Sequence, residues 1–241
     1  EGKGRVFQTL LGHDAGALLT PGHAEIIRRA AEYVCNREVI PQPVAATAPR
    51  PSSSISAPPV QGKAGEIRLA EGKFGKALDA RGSSVAGGGR ALFQEPPITV
   101  ECWARLFSKG SFNILVANST KESPRHWELY TEMGTGRLSA YMPGASPTNT
   151  VASVDVVDGK WHYIAMVYRP ESVQLYVDGK RVADQRIGIT HVAPQIGPLW
   201  IGSYPPQSIG CDGLIDEVRV STFAREINGI PSEPFSADKV T

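Results

Sequence analysis

The sequence predicts an all-β sandwich or barrel over residues 61–230. Seven short runs after residue 97 mix strand formers in near-alternating order, and no helix-period stripe lies among them. Gly, Pro, Asn and Asp fill the joints between the runs. The first run is 98–107 (ITVECWARLF). It is followed by 126–133 (HWELYTEM), 137–142 (RLSAYM), 161–168 (WHYIAMVY), 173–178 (VQLYVD), 198–202 (PLWIG) and 213–220 (GLIDEVRV). Met133-Gly134-Thr135-Gly136 joins the second run to the third. Val177-Asp178-Gly179-Lys180 reads as a hairpin, because Asp-Gly accepts the positive φ of a type I′ turn.

Ahead of this segment the texture changes twice. Residues 41–60 (PQPVAATAPRPSSSISAPPV) contain one charged residue, Arg50, and cannot bury enough apolar surface to fold alone. They are expected to form an extended linker. Residues 1–40 hold one strand, 5–11, and one helix opened by Thr20-Pro21 with a stripe at Ile26, Ile27, Ala30, Ala31 and Val34. A fragment of that size has too small a core to stand by itself. Its orphan strand offers an edge through which copies of the chain could pair. Residues 231–241 are expected to form a tail.

Composition bounds the function. The 241 residues are 41% hydrophobic and 20% charged, the figures of a globular chain. With 25 basic and 24 acidic residues there is no global attraction for nucleic acid. No apolar run reaches the ~18 residues of a membrane-spanning helix. The chain opens Glu1-Gly2-Lys3 without a Met, so its start neither shows nor excludes a leader. Cys35, Cys102 and Cys211 form no C-x-x-C pair. Cys102 and Cys211 read more simply as small buried hydrophobes than as a disulfide.

Six motifs recur in a recognisable order. They are Gly72-Lys-Phe-Gly-Lys-Ala-Leu-Asp79, Pro97-Ile-Thr-Val-Glu-Cys-Trp-Ala104 and Asp158-Gly-Lys-Trp-His-Tyr-Ile-Ala165, then Leu175-Tyr-Val-Asp-Gly179, Ile201-Gly-Ser203 and Gly213-Leu-Ile-Asp-Glu-Val-Arg-Val220. The series resembles the laminin-G-like members of the concanavalin A-like lectin/glucanase superfamily over about 61–228. The resemblance implies a jelly-roll β-sandwich of two antiparallel sheets, and carbohydrate or protein binding, with glycosidases a minority. Separately, GKGRVFQTLLGHDAGAL and PGHAEIIRRAAEYV resemble the carboxy-terminal end of a ThuA-like domain of the trehalose-utilisation type. His13 and Asp14 there read as turn residues. A sugar-processing protein, exported or periplasmic, is the expectation that follows.

Carbohydrate recognition needs aromatic faces against C–H groups and a few fixed polar partners. Alternation puts His126, Glu128, Tyr130 and Glu132 on one face of their strand, and Arg137, Ser139 and Tyr141 on one face of the next. The short turn between the runs brings both sets to one sheet face. Glu101, Trp103 and Arg105 extend that patch if their strand is a neighbour. A solvated face with cross-strand Glu–Arg pairs is the plainer reading of the same residues. Trp127, Trp161 and Trp200 read as core, and Trp103 as half-exposed. His191, Tyr204 and Asn149 lie in or beside loops that could rim a site.

Two alternatives to a binding module stand. A glycoside hydrolase needs two carboxyl groups ~5–9.5 Å apart. No single run supplies them, since Glu128 and Glu132 are ~13 Å apart along an ideal strand, which leaves a cross-strand pair such as Glu128 with Glu101. No Gly-x-Ser-x-Gly elbow, phosphate loop or His-Glu-x-x-His occurs. A protein-interaction module is the other alternative. For a cofactor, the resemblance to superfamily glucanases implies a structural Ca²⁺ at Asp216, with Asp79 and Asp212 as weaker ligands. Asp216 could equally accept backbone N–H groups of a neighbouring loop.

Overall fold

The computed structural model describes residues 67–190 and 196–236. The predicted strand–helix fragment, the linker, Cys35 and His191 lie outside the described residues. Fifteen strands follow in chain order: β1 (Leu69–Glu71), β2 (Lys76–Asp79), β3 (Val85–Gly87), β4 (Ile98–Leu106), β5 (Asn113–Asn118), β6 (Trp127–Thr131), β7 (Arg137–Tyr141) and β8 (Ala145–Ser146). Then come β9 (Asn149–Asp155), β10 (Trp161–Arg169), β11 (Ser172–Val177), β12 (Lys180–Arg186), β13 (Gly188–Ile189), β14 (Leu199–Ile201) and β15 (Gly213–Ser221). All seven runs predicted as strands are strands.

The strands form two main antiparallel sheets. One has seven strands in the order β1-β2-β15-β4-β10-β11-β12, the other six in the order β3-β14-β5-β6-β7-β9. Alternation builds the core between them. Ile98, Val100, Cys102, Ala104 and Leu106 of β4 point inward, as do Trp127 and Leu129 of β6 and Leu138 and Ala140 of β7. Trp127 is fully buried, and its indole N–H donates to the Phe93 carbonyl at 2.7 Å. Cys102 and Cys211 are free, buried thiols, and burial pushes Cys102 up to about 12. The β11–β12 hairpin has Asp178 at φ 49° and Gly179 at φ 74°, the pair of positive values that the Asp-Gly turn was expected to supply.

The middle of the outer face of the seven-stranded sheet is covered by the chain itself. Trp103, Tyr163 and Ala165 are buried there beneath Phe74, Ile227 and Phe235. Residues 231–236, expected to be a tail, are part of this cover, and the Phe235 ring lies 6.2 Å from that of Tyr163. Trp103 is therefore 2% exposed, not half-exposed. Trp161 and Trp200 are not core residues either, since each is half-buried on an outer face, Trp161 on this sheet and Trp200 on the other. Alternation assigns a side chain to a face but not what lies over that face.

Candidate functional site

The outer face of the six-stranded sheet carries the candidate site. Register aligns its side chains in rows. Ala117 of β5, Glu128 of β6 and Tyr141 of β7 stand opposite one another, and Tyr141 in turn faces Asn149 of β9. The next row runs Ile114, Tyr130, Ser139 and Val151. A pocket of about 310 Å³ opens over these rows, with Phe112, Lys121, Gln207 and Ile209 contributed by flanking loops. That size is at the lower end for small-molecule sites.

Of the sequence-predicted binding residues, Glu128, Tyr130 and Tyr141 line this pocket. His126 lies behind it, fully buried, with ring centroids 6.0 Å from Tyr141 and 5.4 Å from Tyr204. Its Nε2 is 3.3 Å from Glu128 Oε1, an ion pair when the imidazole is protonated, but neither ring nitrogen has a well-aligned hydrogen bond. Arg137 is at the far end of the β6–β7 hairpin, where its guanidinium donates to Glu132 at 2.8 Å. Arg137 therefore forms the plain cross-strand pair and not a wall of the site. Of the loop residues named from the sequence, Asn149 lines the pocket and Tyr204 closes in beside it.

Glu101, Trp103 and Arg105 do not extend the patch. They stand on β4, in the seven-stranded sheet, and face outward on the opposite side of the sandwich. Glu101 is buried there, accepting from Tyr163 Oη at 2.6 Å and from both Arg219 Nε and Nη2 at 2.8 Å. Arg225 Nε is a further 3.4 Å away. The proposed Glu128–Glu101 carboxyl pair is thus split between two sheets. Arg105 donates to the Gly159 carbonyl at 2.7 Å. Among the described residues lining the pocket, Glu128 is the one carboxylate.

Sequence reasoning missed Lys121, Phe112, Ile114, Gln207 and Ile209. Lys121 lies in the loop before β6. Its Nζ donates to Gln207 Oε1 at 2.7 Å, sits 3.1 Å from Glu128 Oε1, and lies 4.9 Å and 5.5 Å from the Tyr204 and Tyr141 ring centroids. Its backbone N–H donates to Tyr204 Oη at 2.8 Å, which ties its loop to the 203–209 loop. The Phe112 ring packs edge-on to Tyr130 at 5.9 Å. β5 was not among the predicted strands, because Asn113–Asn118 is an apolar stretch without the alternation that marks a half-exposed strand. Burial pushes the Tyr130 hydroxyl up to about 12 and raises Tyr204. Both phenols are therefore neutral hydrogen-bonding groups at physiological pH. The Tyr130 hydroxyl donates to Asn149 Oδ1 at 3.3 Å.

Asp216 accepts backbone N–H groups, the contacts that one of its two readings expects. It sits at a bulge in β15, where Oδ2 accepts from Phe74 N–H and Oδ1 from Glu217 N–H, both at 2.9 Å. Among the described residues, no group of three His, Cys, Asp or Glu side chains is placed to hold a metal. Asp79 is occupied by Arg81, whose Nε donates at 2.8 Å.

Comparison with known proteins places this geometry. A family model described as the concanavalin A-like lectin/glucanases superfamily matches residues 79–229. No curated protein matches the chain. Among solved structures, domain 4 of AbnA, a GH43 extracellular arabinanase from Geobacillus stearothermophilus in complex with arabinotriose, is 19% identical. The match covers 66% of this chain and 76% of that one, with a TM-score of 0.50. The binding domain of Paraclostridial Mosquitocidal Protein 1 is 14% identical over 69% of this chain and 45% of its own, with a TM-score of 0.52. A structure of botulinum neurotoxin type C, whose cell entry is dependent upon interaction with two ganglioside molecules, is 13% identical over 69% of this chain and 43% of its own, with a TM-score of 0.50. At these identities the likeness is one of fold.

Proposed function

Since this chain belongs to the concanavalin A-like lectin/glucanase superfamily over residues 79–229, we propose that it binds carbohydrate in the pocket on its six-stranded sheet. The observation that carries this reading is the mixture of surfaces in one small depression. Phe112, Tyr130, Tyr141, Ile114 and Ile209 offer apolar and aromatic area for sugar C–H groups. Glu128, Asn149, Gln207 and Lys121 offer fixed acceptors and donors for hydroxyl groups. These polar groups are held by one another and by the loops, so little ordering remains to be done on binding. The neighbour solved with arabinotriose supports the reading, because a fold of this kind there accommodates an oligosaccharide.

The same geometry favours binding over hydrolysis. Among the described residues the pocket presents Glu128 as its one carboxylate, and the mechanism of most glycosidases calls for two. The test is retention on immobilised polysaccharides and a glycan array, with Tyr141→Ala alongside. Tyr141→Ala is expected to weaken retention by roughly tenfold or more, the worth of one aromatic contact, while leaving the unfolding midpoint nearly unchanged. A protein that retains no glycan at all, or a variant that binds as well as the parent, would overturn the assignment.

A further inference from the structure

The charges in the pocket go further than its shape. Among the described residues its lining holds one cation, Lys121, and one anion, Glu128, and the two are paired at 3.1 Å. The Lys121 ammonium is also bound to Gln207 Oε1 at 2.7 Å and lies against the Tyr204 and Tyr141 faces. Glu128 is 3% exposed. Behind it stands His126, 3.3 Å away and itself buried.

A ligand carboxylate or sulfate needs an available cation. Here it would have to take Lys121 from Glu128, leaving a buried carboxylate without its counter-charge, which is among the costlier changes a protein interior can undergo. A cationic ligand meets the converse obstacle, because Glu128 already has Lys121 in contact. We infer that the site selects uncharged sugars, and that the Lys121–Glu128 pair is the specificity determinant that rejects acidic ones. This inference rests on the carbohydrate-binding reading of the same pocket. The pair supplies hydrogen bonds to hydroxyl groups while presenting no net charge to them.

The matched probes are a neutral glucan and its C6-oxidised glucuronan, which differ only in the carboxylate, measured by affinity electrophoresis and calorimetry. The neutral polymer is expected to bind at least ten times more tightly, with an affinity nearly unchanged up to ~0.5 M NaCl. Glu128→Gln removes the competing anion and is expected to narrow or invert that ratio in favour of the glucuronan, with the gain lost at high salt. Lys121→Met provides a second variant should Glu128→Gln fold poorly, and it is expected to leave the glucuronan rejected. Equal or tighter binding of glucuronan by the parent protein would overturn the inference while upholding carbohydrate binding. An unchanged ratio in a folded Glu128→Gln would remove the pair as its cause. Retention of neither polymer, nor of any other glycan, would defeat the carbohydrate reading itself.

Discussion

Two glutamates show how far single residues could be read. Alternation correctly turned both Glu101 and Glu128 outward, yet it could not say that they belong to different sheets. That depends on which strands pair, and pairing joins residues far apart in sequence, as β15 to β2 and β4. Their roles diverge accordingly. Glu101 is the buried centre of a network with Tyr163, Arg219 and Arg225. Glu101→Ala leaves that network without its anion and is expected to cost ~3–5 kcal/mol in urea unfolding. Asp79 gives a pH-dependent counterpart. The Arg81 side-chain hydrogen bonds hold its carboxyl below the usual range. A depressed carboxyl contributes stability above its unfolded pKa and loses it as pH falls through the folded one. Asp79→Asn should therefore be less stable than the parent at neutral pH. The gap should close below about pH 4 in thermal melts recorded across the acid range.

At the scale of elements, long central strands were legible and short edge strands were not. β4, β10 and β15 carry nine residues each, long enough for a pattern to repeat. β1 and β3 have three residues each, too few for any period to be counted. The C-terminal segment was unreadable for another reason. Its anchor among the described residues, Phe235, has no periodic neighbours, and it packs on Tyr163, far back in the chain, and on Arg219 of β15. Phe235→Ala is expected to lower stability by ~1–3 kcal/mol and to raise binding of a hydrophobic dye at the uncovered Trp103 and Tyr163. Close approach also fixes the hairpin tip against the stretch just before this segment, because a Cβ at Gly179 would lie 2.7 Å from the Gly229 backbone. The sequence signals for that turn came from φ alone, and the contact adds a second reason for glycine.

For the molecule as a whole, the sandwich was foreseeable because a chain of short strands has few ways to bury one face of each. The pocket was only half foreseeable. Its floor draws on β6 and β7, which alternate cleanly, with Ile114 from β5 and Asn149 from β9, but other walls come from loops whose approach no local pattern records. The two buried thiols test the integrity of the fold. Cys102 and Cys211 should resist alkylation in the native protein and react at the rate of global opening, read residue by residue by mass spectrometry. Reducing agent should leave the melting temperature unchanged, since neither is bonded. The cover over the seven-stranded sheet has one more consequence. On the carbohydrate-binding proposal, with the middle of one broad face covered by its own chain and the candidate pocket on the other, a single copy would be monovalent toward a polysaccharide strand, able to hold it but not to cross-link it. Agglutination or tight avidity would require tandem or assembled copies, spaced to match the repeat of the polymer.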